Sequence, residues 1–171
     1  MNGHVLPTLL RAWVAIAVID GIFATMLPVL AYGQPLGRVW QGVASTLLGP
    51  SAMQGGVRTM LVGLVMHAGV ALAWTTVFLA LALMSPALRR LIERPAGMVA
   101  VSAVYGPAIW LVMSHLVIPG LTGRAPTIND RWWVQLLAHV PFVALPIVAV
   151  IGRGLREVHD VVHVRPVGDA T

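Results

Sequence analysis

The sequence predicts an all-α, polytopic membrane protein: four transmembrane helices and a short interfacial helix between the first and second. Three observations carry this reading. Hydrophobic residues fill 58% of the 171 positions and charged residues only 10%, whereas a soluble domain needs roughly a quarter charged residues to cover its surface. The charges are also clustered, with arginines gathered between long uncharged stretches. Those stretches match or exceed the roughly 20 residues that cross a bilayer as a helix.

The first span is expected at residues 12–31, after a short head carrying Arg11. Its apolar run is too long for an ordinary signal-peptide core and contains Asp20, so it reads as a retained helix. A Gly/Pro-rich connection, 32–37, leads to residues 38–48. There Trp40, Val43, Ala44, Leu47 and Leu48 recur at helical spacing, with Arg38, Gln41 and Ser45 on the other side. Eleven residues cannot span, so this segment is expected to lie in the interface. Gly49-Pro50 and Gly55-Gly56 mark turns.

The second span is expected at 57–84, long enough to tilt, and a charged loop follows at 85–97 with Arg89, Arg90, Glu93 and Arg94. The third span is placed at 98–118 and a polar loop at 119–131. Trp132-Trp133 opens the fourth span, 132–151, as an interfacial anchor. A mixed-charge tail, 152–171, begins as helix and ends without regular structure. The whole chain reads as one membrane domain. Proline interrupts three helices, at Pro28, at Pro107, and at Pro141 with Pro146, each removing a backbone hydrogen bond.

All eleven basic residues are arginine. With four spans, both termini share a side, which collects seven arginines against four on the other. The positive-inside rule puts that side in the cytoplasm. No basic stripe carries interleaved aromatics, so the charge speaks for topology and lipid headgroups, not nucleic acid. The absence of cysteine excludes disulfides, thiolate metal sites, iron–sulfur clusters and a cysteine nucleophile.

Small residues line packing faces: Ala17, Gly21 and Thr25 in the first span, Gly63, His67 and Ala71 in the second, Ser102 and Gly106 in the third. Against this apolar background the polar residues stand out. Asp20, His67 and His139 fall at similar depth, roughly 10–16 Å below the outer surface at 1.5 Å rise per residue. Gln135 shares the His139 face, His115 lies near the outer end of the third span, and Tyr105 lies deeper. A charged side chain at mid-membrane costs roughly 2.5–3.5 kcal/mol or more, so these groups are expected to turn inward as a buried polar cluster, with Asp20 pairing with His67 or His139.

Four roles compete for this cluster: hydrogen-bonding glue between helices, axial ligation of haem or another tetrapyrrole by His67 and His139, a proton or ion path through Asp20 and the histidines, and a His/Asp metal site. The ligand types suit zinc, but no local pair at metal-binding spacing occurs in the spans. His159 and His163 in the tail have i, i+4 spacing beside Asp160, which fits a solvated surface better than a metal site. No G-x-S-x-G turn and no phosphate-binding glycine loop is present, so no catalytic set is assigned and an enzymatic role has little support.

The run Arg38-Val39-Trp40-Gln41-Gly42-Val43-Ala44-Ser45, followed by Leu48-Gly49, Gly55-Gly56, Gly63 and His67, resembles a pattern in small bacterial inner-membrane proteins, broadly the YagU-like ones. Asp20, Tyr105-Gly106, Val112-Met113-Ser114-His115-Leu116-Val117-Ile118-Pro119, His139 and Pro146-Ile147 extend the resemblance over all four spans but not the tail. Ser114 departs from it, standing where that pattern has Asn. The resemblance implies four helices and a bacterial cytoplasmic membrane, and brings no activity with it. The leading expectation is a non-catalytic accessory or scaffold subunit, in contact with lipid and with other membrane subunits. The rival is a cofactor-binding or proton-handling protein.

Overall fold

In the computed structural model the described residues are 2–164, with side chains described for 5–157. Every regular element among them is helical. Four helices are long and apolar enough to cross a membrane: Val5–Ala31, Gly56–Met84, Pro95–Thr122 and Asp130–Glu157.

Helix α1 runs Asn2–Met26 and continues as a π-helical turn, Leu27–Ala31. Its start corrects the expected head: Arg11 lies within the helix. The N-terminal turns are held by packing, because Thr8 and Ala12 are buried. Helix α2, Leu36–Leu48, follows a four-residue connection, and a 3₁₀ turn, Pro50–Gln54, leads to α3, Gly56–Met84.

The expected loop at 85–97 instead contains a short helix, α4, Pro86–Ile92. Ser85 caps it, accepting a hydrogen bond from the Leu88 amide at 3.2 Å; Pro86 suits the first turn, where no N–H is needed. Ile92 anchors α4 in the core. The third long helix comprises α5, Pro95–Val112, a π turn, Met113–Val117, and α6, Ile118–Thr122. Gly123 ends it with φ +66°, the left-handed conformation that favours glycine. The fourth comprises α7, Asp130–Ala138, a π turn, His139–Ala144, and α8, Leu145–Val164. Asn129 caps α7 by accepting from the Trp132 amide at 3.1 Å.

The wide turns follow the prolines in two places: Pro28 and Pro141 each lie inside one, where a missing N–H is absorbed. Pro107 does not produce one; the α ladder continues past it and widens only at Met113, just before Pro119. The predicted tail begins as the end of α8, against which α1 is packed: a Cβ at Gly154 would fall 2.5 Å from the Thr8 side chain. Residues 165–171, and the side chains of His159, Asp160 and His163, lie outside the described residues.

Buried residues Ile16, Phe78, Ile109, Ile147, Val148 and Ile151 form the core. Many large apolar side chains point outward instead, among them Leu30, Val65, Val104 and Leu137. Interior and exterior are both apolar, as expected of helices whose outer solvent is hydrocarbon.

Helix α2 shows what this does to a sequence pattern. Trp40, Gln41 and Ala44 are its buried residues, whereas Leu47 and Leu48 are exposed. The expected apolar-in, polar-out orientation is therefore partly reversed. Gln41 turns inward because its amide finds an acceptor, donating to the Gly56 carbonyl at 3.1 Å.

Candidate functional site

The polar side chains of the spans gather into separate centres. The first joins α1, α2 and α3. Nδ1 of His67 lies 3.9 Å from a carboxylate oxygen of Asp20, and both side chains are largely buried, at 14% and 22% exposure. Nε2 of His67 lies 3.3 Å from the Ala17 carbonyl. Trp40 stands edge-on to the imidazole, ring centroids 5.3 Å apart. One glycine from the small-residue rows makes this possible: a Cβ at Gly63 would collide with the Trp40 carbonyl, whereas one at Gly21 would meet the His67 ring at 3.5 Å, an ordinary contact.

The hydrogen bonding assigns protons here. Carbonyl oxygens only accept, so Nε2 donates to Ala17, and Nδ1 is left facing Asp20. The 3.9 Å separation is a close approach of two polar groups and is longer than a hydrogen bond.

The second centre joins α5 to the fourth span. Nδ1 of His139 donates to the Gln135 carbonyl one turn earlier, at 2.6 Å, and its ring lies 5.0 Å from that of Trp110. Gly106 brings the helices together: a Cβ there would lie 2.6 Å from the His139 carbonyl oxygen. Trp132 packs at 6.2 Å from Trp110 and at 5.7 Å from His115. His115 is exposed, not part of a buried cluster. The neighbouring Ser114 takes the inward position in the π turn and bonds to Nδ1 of His115 at 2.8 Å. Tyr105 belongs to neither centre; its hydroxyl donates to the Trp74 carbonyl at 2.6 Å, tying α5 to α3.

The predicted polar cluster is thus divided. Asp20 and His67 meet as expected, whereas His139, Gln135 and His115 surround a pair of tryptophans. The stacked rings of Phe23 and Phe142, 4.4 Å apart, join the first and fourth spans one turn beyond Asp20 and His139. Among the described residues no three His, Asp or Glu side chains converge as a metal site.

Two contributors were not singled out in the sequence. Trp40 was read as one of the apolar residues of α2, and Trp13 was given no role. Yet the Trp13 indole donates to the Ala68 carbonyl at 2.8 Å. The available signal was the indole N–H itself, which seeks a partner when buried. Comparisons of this chain with known protein families, with curated proteins and with solved structures return no match.

Proposed function

We propose that this chain is a non-catalytic, four-pass subunit of a bacterial cytoplasmic membrane, with both ends on the cytoplasmic side, that docks on a larger membrane assembly. In this reading α2 lies at the outer surface, against the outer half of α3. The observation that carries the proposal is an unpartnered face of α3. Gly69, Ala73, Thr76 and Ala80 are all exposed and recur at helical spacing, and nothing would meet a Cβ at Gly69 within 4 Å. A smooth stripe of small residues lets a second helix approach closely in lipid, where packing drives association.

The polar side chains inside the bundle support the same reading. His67, Trp13 and Tyr105 each bond to a backbone carbonyl of a neighbouring helix, so their chemistry is spent on holding helices together. The occupant proposed for the stripe is a transmembrane helix of another subunit with small residues of its own. Purification from native membranes in mild detergent tests this. A defined larger complex is expected, and Gly69→Leu is expected to release the chain from it. A lone monomer, or a complex indifferent to Gly69→Leu, contradicts the proposal.

A second reading rests on the approach of Asp20 to His67. An Asp and a His facing each other between two apolar helices are the kind of group a proton-handling protein uses, and histidines on separate helices could hold haem or another tetrapyrrole. Absorbance of the purified protein separates these roles. A Soret band lost in His67→Ala marks pigment binding, and proton flux in proteoliposomes lost in Asp20→Asn marks transport.

A further inference from the structure

The second span ends at Met84 and the third begins at Pro95. The residues between them, 85–94, form an elbow where apolar helix gives way to polar chain. The elbow holds Arg89, Arg90 and Arg94, with Glu93 as its acid. Arg156 reaches it from α8 and donates to the carbonyls of Ile92 and Glu93, at 3.5 and 3.4 Å.

These guanidinium groups divide by what they touch. Arg156 closes the end of α4, and Arg89 donates to the Leu83 carbonyl at the end of α3, at 3.4 Å. The last carbonyls of a helix lack donors within it, so both arginines are occupied with backbone. Arg90 and Arg94 are different. Both are exposed, and neither has a hydrogen bond, ion pair or ring contact among the described residues. The ion pairs there join Arg11 to Glu157 and Asp20 to His67, so Glu93 neutralises neither.

Packing sets the direction of this charge. Leu88 and Ile92 hold α4 against the core. Their inward turn leaves Ala87, Arg90 and Leu91 on the outer face, with Arg94 about one turn after Arg90. Leu91 is exposed, as are Met84 and Val99 at the adjoining span ends. The outer face of the elbow thus carries bare apolar side chains beside unpaired guanidinium groups. The matching occupant is amphiphilic, with an acidic head and apolar chains. Guanidinium suits phosphate because it can donate two parallel hydrogen bonds to it, and bilayer phosphates lie where spans end. An acidic protein segment would meet the charges and leave the apolar side chains uncovered.

We propose that the α4 elbow binds an anionic phospholipid of the surrounding leaflet, its phosphate held by Arg90 and Arg94 and its acyl chains lying on Leu91 and Met84. The site needs the four helices to cross a bilayer, but not the docking stripe at Gly69.

The test uses the full chain, purified alone in a non-ionic detergent, so loss of a docking partner does not affect it. Short-chain phosphatidylglycerol is titrated in parallel with phosphatidylcholine of the same chain length, and bound lipid is counted by native mass spectrometry. Tighter binding of phosphatidylglycerol is expected. Arg90→Gln with Arg94→Gln is expected to weaken it about five- to thirtyfold, the effect of one to two interfacial charges, and to leave phosphatidylcholine unchanged. Arg58→Gln with Arg124→Gln removes exposed arginines at the opposite end of the bundle and is expected to change neither. The comparison of the two lipids on the parent chain stands even if a variant fails to fold. Equal affinity for both lipids, or equal losses in the two double variants, overturns the proposal. Displacement of the lipid by inorganic phosphate at matched concentration would mark a plain anion site and also overturns it. So does a chain with Arg90→Gln and Arg94→Gln that keeps its lipid yet leaves the larger complex in native membranes, because the elbow would then bind an acidic protein segment.

Discussion

The backbone carbonyl of Trp40 lies so close to Gly63 that any side chain at that position would collide with it. This contact seats α2 on α3 and brings the Trp40 ring to the edge of His67. Gly63→Ala is therefore expected to push α2 away and destabilise the fold by about 1–3 kcal/mol, the usual cost of overpacking. Reversible unfolding in mixed detergent micelles, followed by circular dichroism, measures this. Gly42→Ala is the control: it lies on α2, yet nothing would meet a Cβ there within 4 Å.

Gly106 makes the equivalent contact between the third and fourth spans, against the His139 carbonyl. Gly106→Ala is expected to cost a similar amount. Because the collision is with backbone, which cannot rotate aside, a larger residue such as leucine should be worse. Stability equal to the parent chain would show that the fourth span is not held at this point.

Tyr105→Phe removes one donor and leaves the Trp74 carbonyl its other lone pair for the helix ladder. No buried acceptor is orphaned, so a loss of only about 0.5–1.5 kcal/mol is expected. The same unfolding assay reads it. A much larger loss would mean that the hydroxyl supports more than the α5–α3 contact.

Asp20 and His67 are expected to be energetically coupled. Replacing either by leucine strands its partner in the bundle, whereas replacing both removes a polar group and the partner it needs. A double-mutant cycle should therefore show the double variant losing less than the sum of the singles, with coupling of about 0.5–3 kcal/mol. Strict additivity would mean that the 3.9 Å approach carries no interaction.

Arg11 and Glu157 also pair across helices, at 3.8 Å, but both side chains are about 70% exposed. Exposed pairs contribute little. Glu157→Gln is expected to leave the unfolding midpoint within experimental error, in contrast to changes at Gly63 or Gly106.

The positions of the four long helices were legible because the signal is length and apolarity, which a bilayer demands regardless of neighbours. The glycine faces were legible too: Gly63 and Gly106 both lie where a neighbouring backbone leaves no room for a side chain. Orientation was harder to read. Gln41 faces inward because its amide finds the Gly56 carbonyl, and Leu48 faces outward. Trp132 and Trp133 are chemically identical neighbours, and packing against Trp110 and His115 distinguishes the first, which is buried while Trp133 faces outward. His115 yields its inward place to Ser114 within a π turn, which shifts the register that a regular helix would give. Helix α4 was read as loop because its charges masked a Ser-Pro start and a single buried anchor, Ile92.

The central claim is that the four apolar helices cross a bilayer. The absence of native cysteine permits a direct test by single-cysteine labelling in intact cells with a membrane-impermeant maleimide. Ser51→Cys and Thr127→Cys, in the connections that follow α2 and precede α7, are expected to react from outside. Ala87→Cys, on exposed α4, is expected to react only after the membrane is opened. Labelling of Ala87→Cys and Thr127→Cys from the same side, or recovery of the chain in the soluble fraction, would contradict the account.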